Sequence, residues 1–128
     1  MVRRDTRTVG FDAERVADRY LQDRELKPVT RNFRCRLGEI DLIMLDEDCL
    51  VFVEVRYRAS NRFSSASLTI DIHKQRKIIR TAALFLAKRS QFANSTVRFD
   101  VVAIDADDHG NKTIEWIKDA FRPADSRL

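Results

Sequence analysis

The feature that most constrains this chain is a pair of hydrophobic segments that each carry an acidic residue inside. Residues 38–43 have the sequence GEIDLI, and residues 51–56 have the sequence VFVEVR. Their apolar neighbours predict that Asp41 and Glu54 are buried. A buried carboxylate is costly unless it is paired, hydrogen-bonded or bound to a metal. Two such carboxylates in one hairpin therefore predict a cation site.

The register of the predicted hairpin follows from its turn. A tight turn at residues 47–48, within an acidic turn signal, places Asp41 opposite Glu54. Directly opposed side chains lie about 4.5–5.5 Å apart at Cβ, so the two charges repel unless a divalent cation lies between them. Side chains alternate along a strand, which puts Arg56 on the same face as Glu54. The alternative is a hairpin whose acids pair with arginines elsewhere in the fold.

Length and composition indicate one compact domain. We expect a flexible basic arm over residues 1–8, a single domain over 9–122 and a polar tail over 123–128. No apolar run is long enough to span a membrane, and no apolar segment of a signal peptide follows the basic N-terminus. Cys35 and Cys49 have no metal-type spacing, so we interpret them as reduced thiols of a cytoplasmic protein.

The charge distribution is more informative than the net charge of +4. Residues 37–55 contain six acids and no Lys or Arg, whereas residues 56–90 contain nine Lys or Arg and one acid. An acidic centre beside a basic segment is typical of a metal site that acts on a polyanion. The alternative is a solvated charged helix face, which is common.

The pattern of apolar residues predicts an α/β fold with the order α-β-β-β-α-β-β. We expect a mixed central sheet of about five strands with flanking helices. Asp71 is the predicted N-cap of the second helix, and Asp100 is a predicted hydrogen-bond acceptor within a strand. The predicted elements are a helix over 11–25, a strand over 29–36, the acidic hairpin, a polar loop over 59–67, a helix over 72–90, and strands over 97–104 and 112–117. The predicted apolar stripe of the second helix comprises Ile72, Ile79, Ala82, Ala83 and Leu86.

These residues resemble a known superfamily. The two halves of the hairpin, at this spacing, resemble the core of the PD-(D/E)xK nucleases. The chain looks most like the YraN-like bacterial family, which is itself similar to archaeal Holliday-junction resolvases. The resemblance covers most of the chain, including Glu14, residues 31–34, the Lys74-containing helix and residues 98–102. It implies a restriction-endonuclease-like core.

The resemblance also implies a metal site. Asp41 and Glu54 would bind Mg²⁺ or Mn²⁺, with the Val55 carbonyl as a third ligand, and Glu14 matches the acid of the first helix that completes the site in the resolvases. Such a metal activates water and stabilises charge on a scissile phosphate. For Glu14 the alternative is a simple acid in the first turn of the helix, where it would favour the helix dipole.

One position departs from the superfamily pattern, because Arg56 stands where the pattern has lysine. An arginine stays protonated and cannot act as a base, although it can bind a phosphate through two parallel hydrogen bonds. Arg56 is therefore compatible with charge stabilisation and weakens the case for efficient cleavage. Lys74 could supply the missing ammonium, and its alternative is a solvated helix lysine.

We expect a metal-dependent nuclease-like protein that acts on DNA, branched or single-stranded. One alternative is a nucleic-acid-binding module that has lost turnover, and another is a protein-interaction domain with an incidental acidic hairpin. A homodimer follows by analogy with the resolvases, since a branched junction has two-fold symmetry. The residues expected to contact nucleic acid are Arg34, Arg58, Arg62, Lys74, Lys77 and Arg80.

Overall fold

The computed structural model contains two long helices and five strands. It describes residues 6–58 and 70–123, with side chains for 13–58 and 70–123. The elements are α1 (Thr6–Asp23), β1 (Lys27–Cys35), β2 (Gly38–Asp46), β3 (Cys49–Arg58), α2 (Ile72–Lys88), a short 3₁₀ turn (Ser90–Phe92), β4 (Thr96–Ala106) and β5 (Lys112–Ile117). The predicted order α-β-β-β-α-β-β is confirmed.

The five strands form one mixed sheet in the order β1-β2-β3-β4-β5. The pairs β1–β2, β2–β3 and β4–β5 are antiparallel, whereas β3 and β4 are parallel. Parallel neighbours need a crossover connection, and α2 lies within this one. The predicted mixed sheet and the restriction-endonuclease-like core are thus confirmed. Neither helix in the described part of the chain is long and apolar enough to cross a lipid bilayer.

Each helix covers one face of the sheet, so the core has two halves. Under α2, Phe85 contacts Phe33 and Phe52 edge-on, and Phe52 stacks on Phe99 at 5.5 Å between ring centroids. Under α1, buried aliphatic side chains from the helix and from β2, β3 and β4 pack together. These two hydrophobic layers hold the helices at fixed positions on the sheet, which is what orients their polar side chains at its edge.

Both helices differ from their predicted form. The first begins at Thr6, so residues 6–8 of the predicted arm are helical, while residues 1–5 and the tail residues 124–128 lie outside the described residues. Glu14 therefore lies in the third turn of α1, and the alternative of a first-turn acid is wrong. In α2 the Asp71 cap is confirmed, since its Oδ1 accepts from the Lys74 N–H at 2.9 Å.

The predicted apolar stripe of α2 is confirmed at Ile79 and Ala82, which are buried, and at Leu86, which packs against the core. It is wrong at Ile72, which is 51% exposed at the start of the helix, and it omitted Phe85, which is completely buried. The buried residues of the helix are Ile78, Ile79, Thr81, Ala82 and Phe85.

Side chains stop alternating between the two faces of the sheet at opposed positions of β1 and β2. Ile40 packs in the core under α2, but Leu42 packs in the core under α1, although they are two residues apart. Their partners across the ladder are Phe33 and Arg31. Between these lies Asn32 with φ of 53°, a left-handed conformation that asparagine tolerates better than most residues. Asp41, between Ile40 and Leu42, is thus placed where β2 changes face.

Helix α2 approaches the start of β2 very closely at Gly38. A Cβ atom at this position would lie 2.9 Å from Thr81 Oγ1, a distance that real Cβ contacts do not show. The Thr81 side chain is completely buried, and its hydroxyl donates to the Lys77 carbonyl at 2.8 Å. Glycine at position 38 is therefore what lets α2 lie against the hairpin at this distance.

The predicted acceptor role of Asp100 is confirmed. Its carboxylate is fully buried and accepts four hydrogen bonds. Two come from the Arg98 guanidinium at 2.9 and 3.0 Å, one from Trp116 Nε1 at 2.9 Å, and one from the Asp119 N–H at 2.9 Å. The carboxylate ties β4 to β5 and to the segment that follows.

Candidate active site

Three carboxylates converge at the edge of the sheet. One oxygen from each of Glu14, Glu39 and Asp41 lies within 4.8 Å of one from each of the others. Glu14 comes from α1, while Glu39 and Asp41 come from β2 and flank Ile40. The predicted pairing of Glu14 with Asp41 is thus present, and Glu39 joins them.

The main chain of β3 orients Asp41. The observed register of the hairpin pairs Leu42 with Val53 and follows the predicted one, and the ladder between the two strands ends at this pair. Two residues after Val53 on β3, the Val55 N–H donates to Asp41 Oδ2 at 2.8 Å. Val55 thus enters the site through its N–H, and the role predicted for its carbonyl stays a prediction.

Glu54 lies beside this group and is held by α2. Its carboxylate is 13% exposed, and Lys74 Nζ lies 3.5 Å from its Oε2. Burial and the negative charge of Asp41 raise the pKa of Glu54 to about 7, against the opposing effect of Lys74 and Arg56. Arg56 thus lies close enough to act on Glu54, as the alternation of β3 predicts. The interpretation of Lys74 as only a solvated helix lysine does not fit this contact.

The same physical causes act on the other two buried acids. Burial, followed by the charge of Asp41, raises the pKa of Glu14, and a hydrogen bond from the Asn32 side chain opposes that rise. Burial also raises the pKa of Asp41, against the effect of the Val55 N–H. Burial is the largest cause of the raised pKa in each of these three acids and a neighbouring carboxylate adds to it, so the site disfavours their charged forms.

The carboxylates open into a groove of about 550 Å³ between the hairpin and α2. Glu39 and Asp41 line it on the acidic side, and Arg34, Lys74 and Lys77 line it on the basic side. Arg34 is 71% exposed, with its Nε 3.7 Å from Glu39 Oε2. A phosphate group that entered this groove would contact cations on one side and the acids on the other.

The remaining predicted contact residues fall into three groups. Lys77 and Arg34 line the groove, and Arg80 is exposed on α2. Arg58 forms a two-point ion pair with Asp105, at 2.7 and 3.0 Å, so its guanidinium is engaged within the fold. Arg62 and the predicted polar loop over 59–67 lie outside the described residues.

Glu39 is the residue that the sequence prediction missed. Glu39 and Asp41 are two residues apart, which would put them on one face of a regular strand, but β2 changes face at Asp41, so the spacing alone did not identify Glu39. Glu39 is 43% exposed, and its position at the start of β2 gave no expectation of burial. The contribution of α1, which brings Glu14 to this point, depends on tertiary packing that local spacing does not encode.

The fold and this site define an α/β protein with a restriction-endonuclease-like core and a carboxylate cluster at the edge of its sheet. Residues 13–104 match the family described as "Uncharacterised protein family UPF0102", and the chain belongs to that family. A UPF0102 protein of Pseudomonas putida strain W619 is 46% identical over 89% of this chain and 93% of its own length. The UPF0102 protein of Photobacterium profundum is 52% identical over 86% of both chains, and that of Coxiella burnetii is 46% identical over 91% of this chain and 93% of its own.

Proposed function

We propose that this protein is a nuclease-like protein that binds DNA and hydrolyses its phosphodiester bonds with Mg²⁺ or Mn²⁺. The observation that carries the proposal is the meeting of Glu14, Glu39 and Asp41 within 4.8 Å, where Glu39 and Asp41 line a groove that also presents Lys74. Acids and a lysine at one point are the parts that metal-dependent phosphodiester hydrolysis needs.

The donor set fits a hard divalent cation. All three candidate ligands offer carboxylate oxygens, which suit Mg²⁺ and Mn²⁺ better than soft metals. The raised pKa of Glu14 and of Asp41 indicates that their charges lack sufficient compensation, and a cation supplies it. A bound ion of this kind polarises phosphate oxygens and lowers the pKa of water. Glu54, which is held by Lys74, would act beside this group.

The side chains around the acids have separate roles in this proposal. The Val55 N–H fixes one oxygen of Asp41, which leaves the other directed to the site. Lys74 would hold a phosphate oxygen or the attacking water through its ammonium, and thus take the place of the lysine that the superfamily pattern has at Arg56. Arg34 and Lys77 would bind the neighbouring phosphates of the strand.

A second candidate function is a nucleic-acid-binding module without turnover. The presence of Arg56 at the lysine position favours it, because an arginine cannot give up its proton. In that case the basic side of the groove would still bind DNA, while the acids would serve only to hold a cation or to exclude other ligands.

Cleavage assays on labelled branched, single-stranded and duplex DNA with Mn²⁺ separate these two functions. We expect the wild type to cleave at least one of these substrates and Asp41→Asn to lose cleavage while it retains its fold. Asp48→Asn is the matched control, since Asp48 is an exposed acid in the turn of the same hairpin. Equal background rates for wild type and Asp41→Asn, with DNA binding intact, would establish the binding module instead.

A homodimer belongs to the same proposal, because a two-fold symmetric branch would be cut symmetrically by two copies. Sedimentation of the protein alone and with a four-way DNA junction tests it. One copy per junction at saturation would exclude the symmetric arrangement and leave the single-site proposal unaffected.

A further inference from the structure

A second groove, of about 670 Å³, lies on the other face of the sheet between α1 and the strands β3 to β5. We call it the α1 groove. Its floor is formed by Tyr57, Ile104 and Ile114, which are neighbours in the ladder, since Tyr57 pairs with Ile104 and Ile104 pairs with Ile114. Ile104 is completely buried, so the half-buried Tyr57 and Ile114 are the floor side chains that a ligand would contact. The floor is therefore apolar, with one aromatic ring at the β3 end.

The rim of the α1 groove is basic. Arg15 and Arg19 lie one turn apart on α1, Lys112 begins β5, and all three are exposed. Among the described residues that line the groove, Asp23 is the one acid. An apolar floor between cationic rims complements a strand that has apolar base faces and a charged backbone.

The α1 groove lies near the carboxylate site along two elements, because each contributes a residue to both. On β3, Tyr57 is two residues after Val55, whose N–H binds Asp41. On α1, Arg15 directly follows Glu14, which belongs to the carboxylate group. A chain that lies in the α1 groove would thus reach the sheet edge where the acids are.

We propose that the α1 groove binds an unpaired nucleic-acid strand next to the carboxylate site, with a base stacked on Tyr57. In a duplex the base faces are already covered by their neighbours, so an apolar and aromatic floor has a partner only in a single strand. Tyr20, the other tyrosine of the groove, is already covered by the Arg24 guanidinium at 3.6 Å from its ring centroid. This inference rests on the proposed function, because it names the form of nucleic acid that the same site would receive.

Fluorescence anisotropy with a labelled oligothymidylate and a blunt duplex, both in EDTA, tests the proposal without any metal-dependent step. We expect Tyr57→Leu, which keeps an apolar side chain, to weaken binding of the single strand by about fivefold or more and to leave duplex binding within about twofold. We expect Lys112→Ala to reduce the salt slope for the single strand by about 0.7, the value for one phosphate contact. Lys88→Ala, an exposed lysine on α2, is the matched control and should leave the slope unchanged.

The outcomes separate this proposal from the function on which it rests. Single-strand binding that is equal in wild type, Tyr57→Leu and Lys112→Ala would overturn the α1 groove proposal while DNA binding itself stands. A wild type that binds neither probe would overturn both. If the variants keep strand binding but lose an acidic peptide probe, the groove belongs to a protein partner and the proposal is wrong. Should Tyr57→Leu fail to fold, Arg19→Ala on the exposed side of α1 supplies the same comparison.

Discussion

Two acidic regions of this molecule differ in how far the chain itself compensates the charge of their carboxylates. Asp100 is fully buried, and each of its two oxygens accepts two hydrogen bonds, from Arg98, Trp116 and Asp119. The carboxylate site, formed by Glu14, Glu39, Asp41 and Glu54, is only partly buried and brings like charges together. Both regions combine acids and bases from different elements of the fold, but the Asp100 carboxylate is saturated with hydrogen bonds, whereas the acids of the other region repel one another.

The difference lies in what completes each region. The hydrogen bond with Asp100 raises the pKa of the Arg98 guanidinium, and Arg98 also pairs with Asp46 at 3.1 Å, so that network is closed within the chain. At the carboxylate site, by contrast, burial and mutual repulsion raise the pKa of each of the three partly buried acids, Glu14, Asp41 and Glu54. A closed network stabilises the fold, whereas an unbalanced one is suited to a ligand that brings positive charge.

The largest expected effect is the loss of stability when the closed network is broken. Asp100→Asn should lower the free energy of unfolding by about 3–5 kcal/mol, because an amide cannot accept all four hydrogen bonds of the fully buried carboxylate and its ion pair with Arg98 is lost. Asp41→Asn should not destabilise the metal-free protein. Urea unfolding at pH 7.5 measures both variants. If Asp100→Asn and Asp41→Asn lower the free energy of unfolding by the same amount, the distinction between the two acidic regions is wrong.

Next in size is the response to metal. We expect Mn²⁺ at about 100 times its Kd to stabilise the wild type by about 2.7 kcal/mol, since binding to the folded state alone shifts the unfolding equilibrium. Asp41→Asn and Glu39→Gln should each reduce this gain, and Asp48→Asn should keep it. Thermal melting with and without Mn²⁺ measures the effect. A gain that is unchanged in Glu39→Gln would place the ion away from β2.

The pH dependence of stability should reveal Glu54. Its pKa is about 7 in the folded protein, above the ordinary value of 4.5, so the folded state holds the proton more tightly than the unfolded state. The stabilisation of the folded state by the protonated Glu54 is fully present below pH 4.5 and is lost as the pH rises to about 7. Its magnitude is on the order of 2–3 kcal/mol. Glu54→Gln should flatten the metal-free profile over that range. The same slope in the variant would assign the effect to other groups.

The smallest effect on the free energy of unfolding is expected for a substitution of Lys74. Its side chain is 49% exposed, so the pair with Glu54 should contribute less than about 1 kcal/mol to stability. Lys74→Met should nevertheless raise the pKa of Glu54 and lower any Mn²⁺-dependent cleavage by about 10²-fold or more, if Lys74 assists proton transfer or water positioning. Lys88→Met, at an exposed lysine near the other end of the same helix, is the control. Equal cleavage in both variants would remove Lys74 from the site.

The sequence predicted the sheet well because its signals were local. The turn at residues 47–48 sets the hairpin register, and Asp71 caps α2 through its own first turn. The strand predicted over 112–117 matches β5 at both ends. In each case neighbouring residues carry the information, so spacing and turn chemistry were sufficient.

The candidate site was only partly predictable because it is assembled by tertiary contacts. Asp41 could be found from its apolar neighbours, but the change of face at Asn32 and Asp41 breaks the alternation on which a face assignment depends. The role of Lys74 required the position of α2, and the predicted apolar stripe of that helix was wrong at Ile72 and omitted Phe85. The burial of Phe85 and the packing of α2 on the hairpin both act across long sequence distances.

The close contact between Gly38 and Thr81 fixes the position of α2 relative to β2 at one point along the helix. Lys74 lies seven residues before Thr81, which is about 10 Å along the helix axis. If α2 tilted by about 5° about this contact, the start of the helix would move by about 1 Å while the carboxylates kept their positions. Because the contact at Gly38 leaves no room for a methyl group, the distance between the Lys74 ammonium and the acids depends on a glycine that has no ionisable side chain of its own.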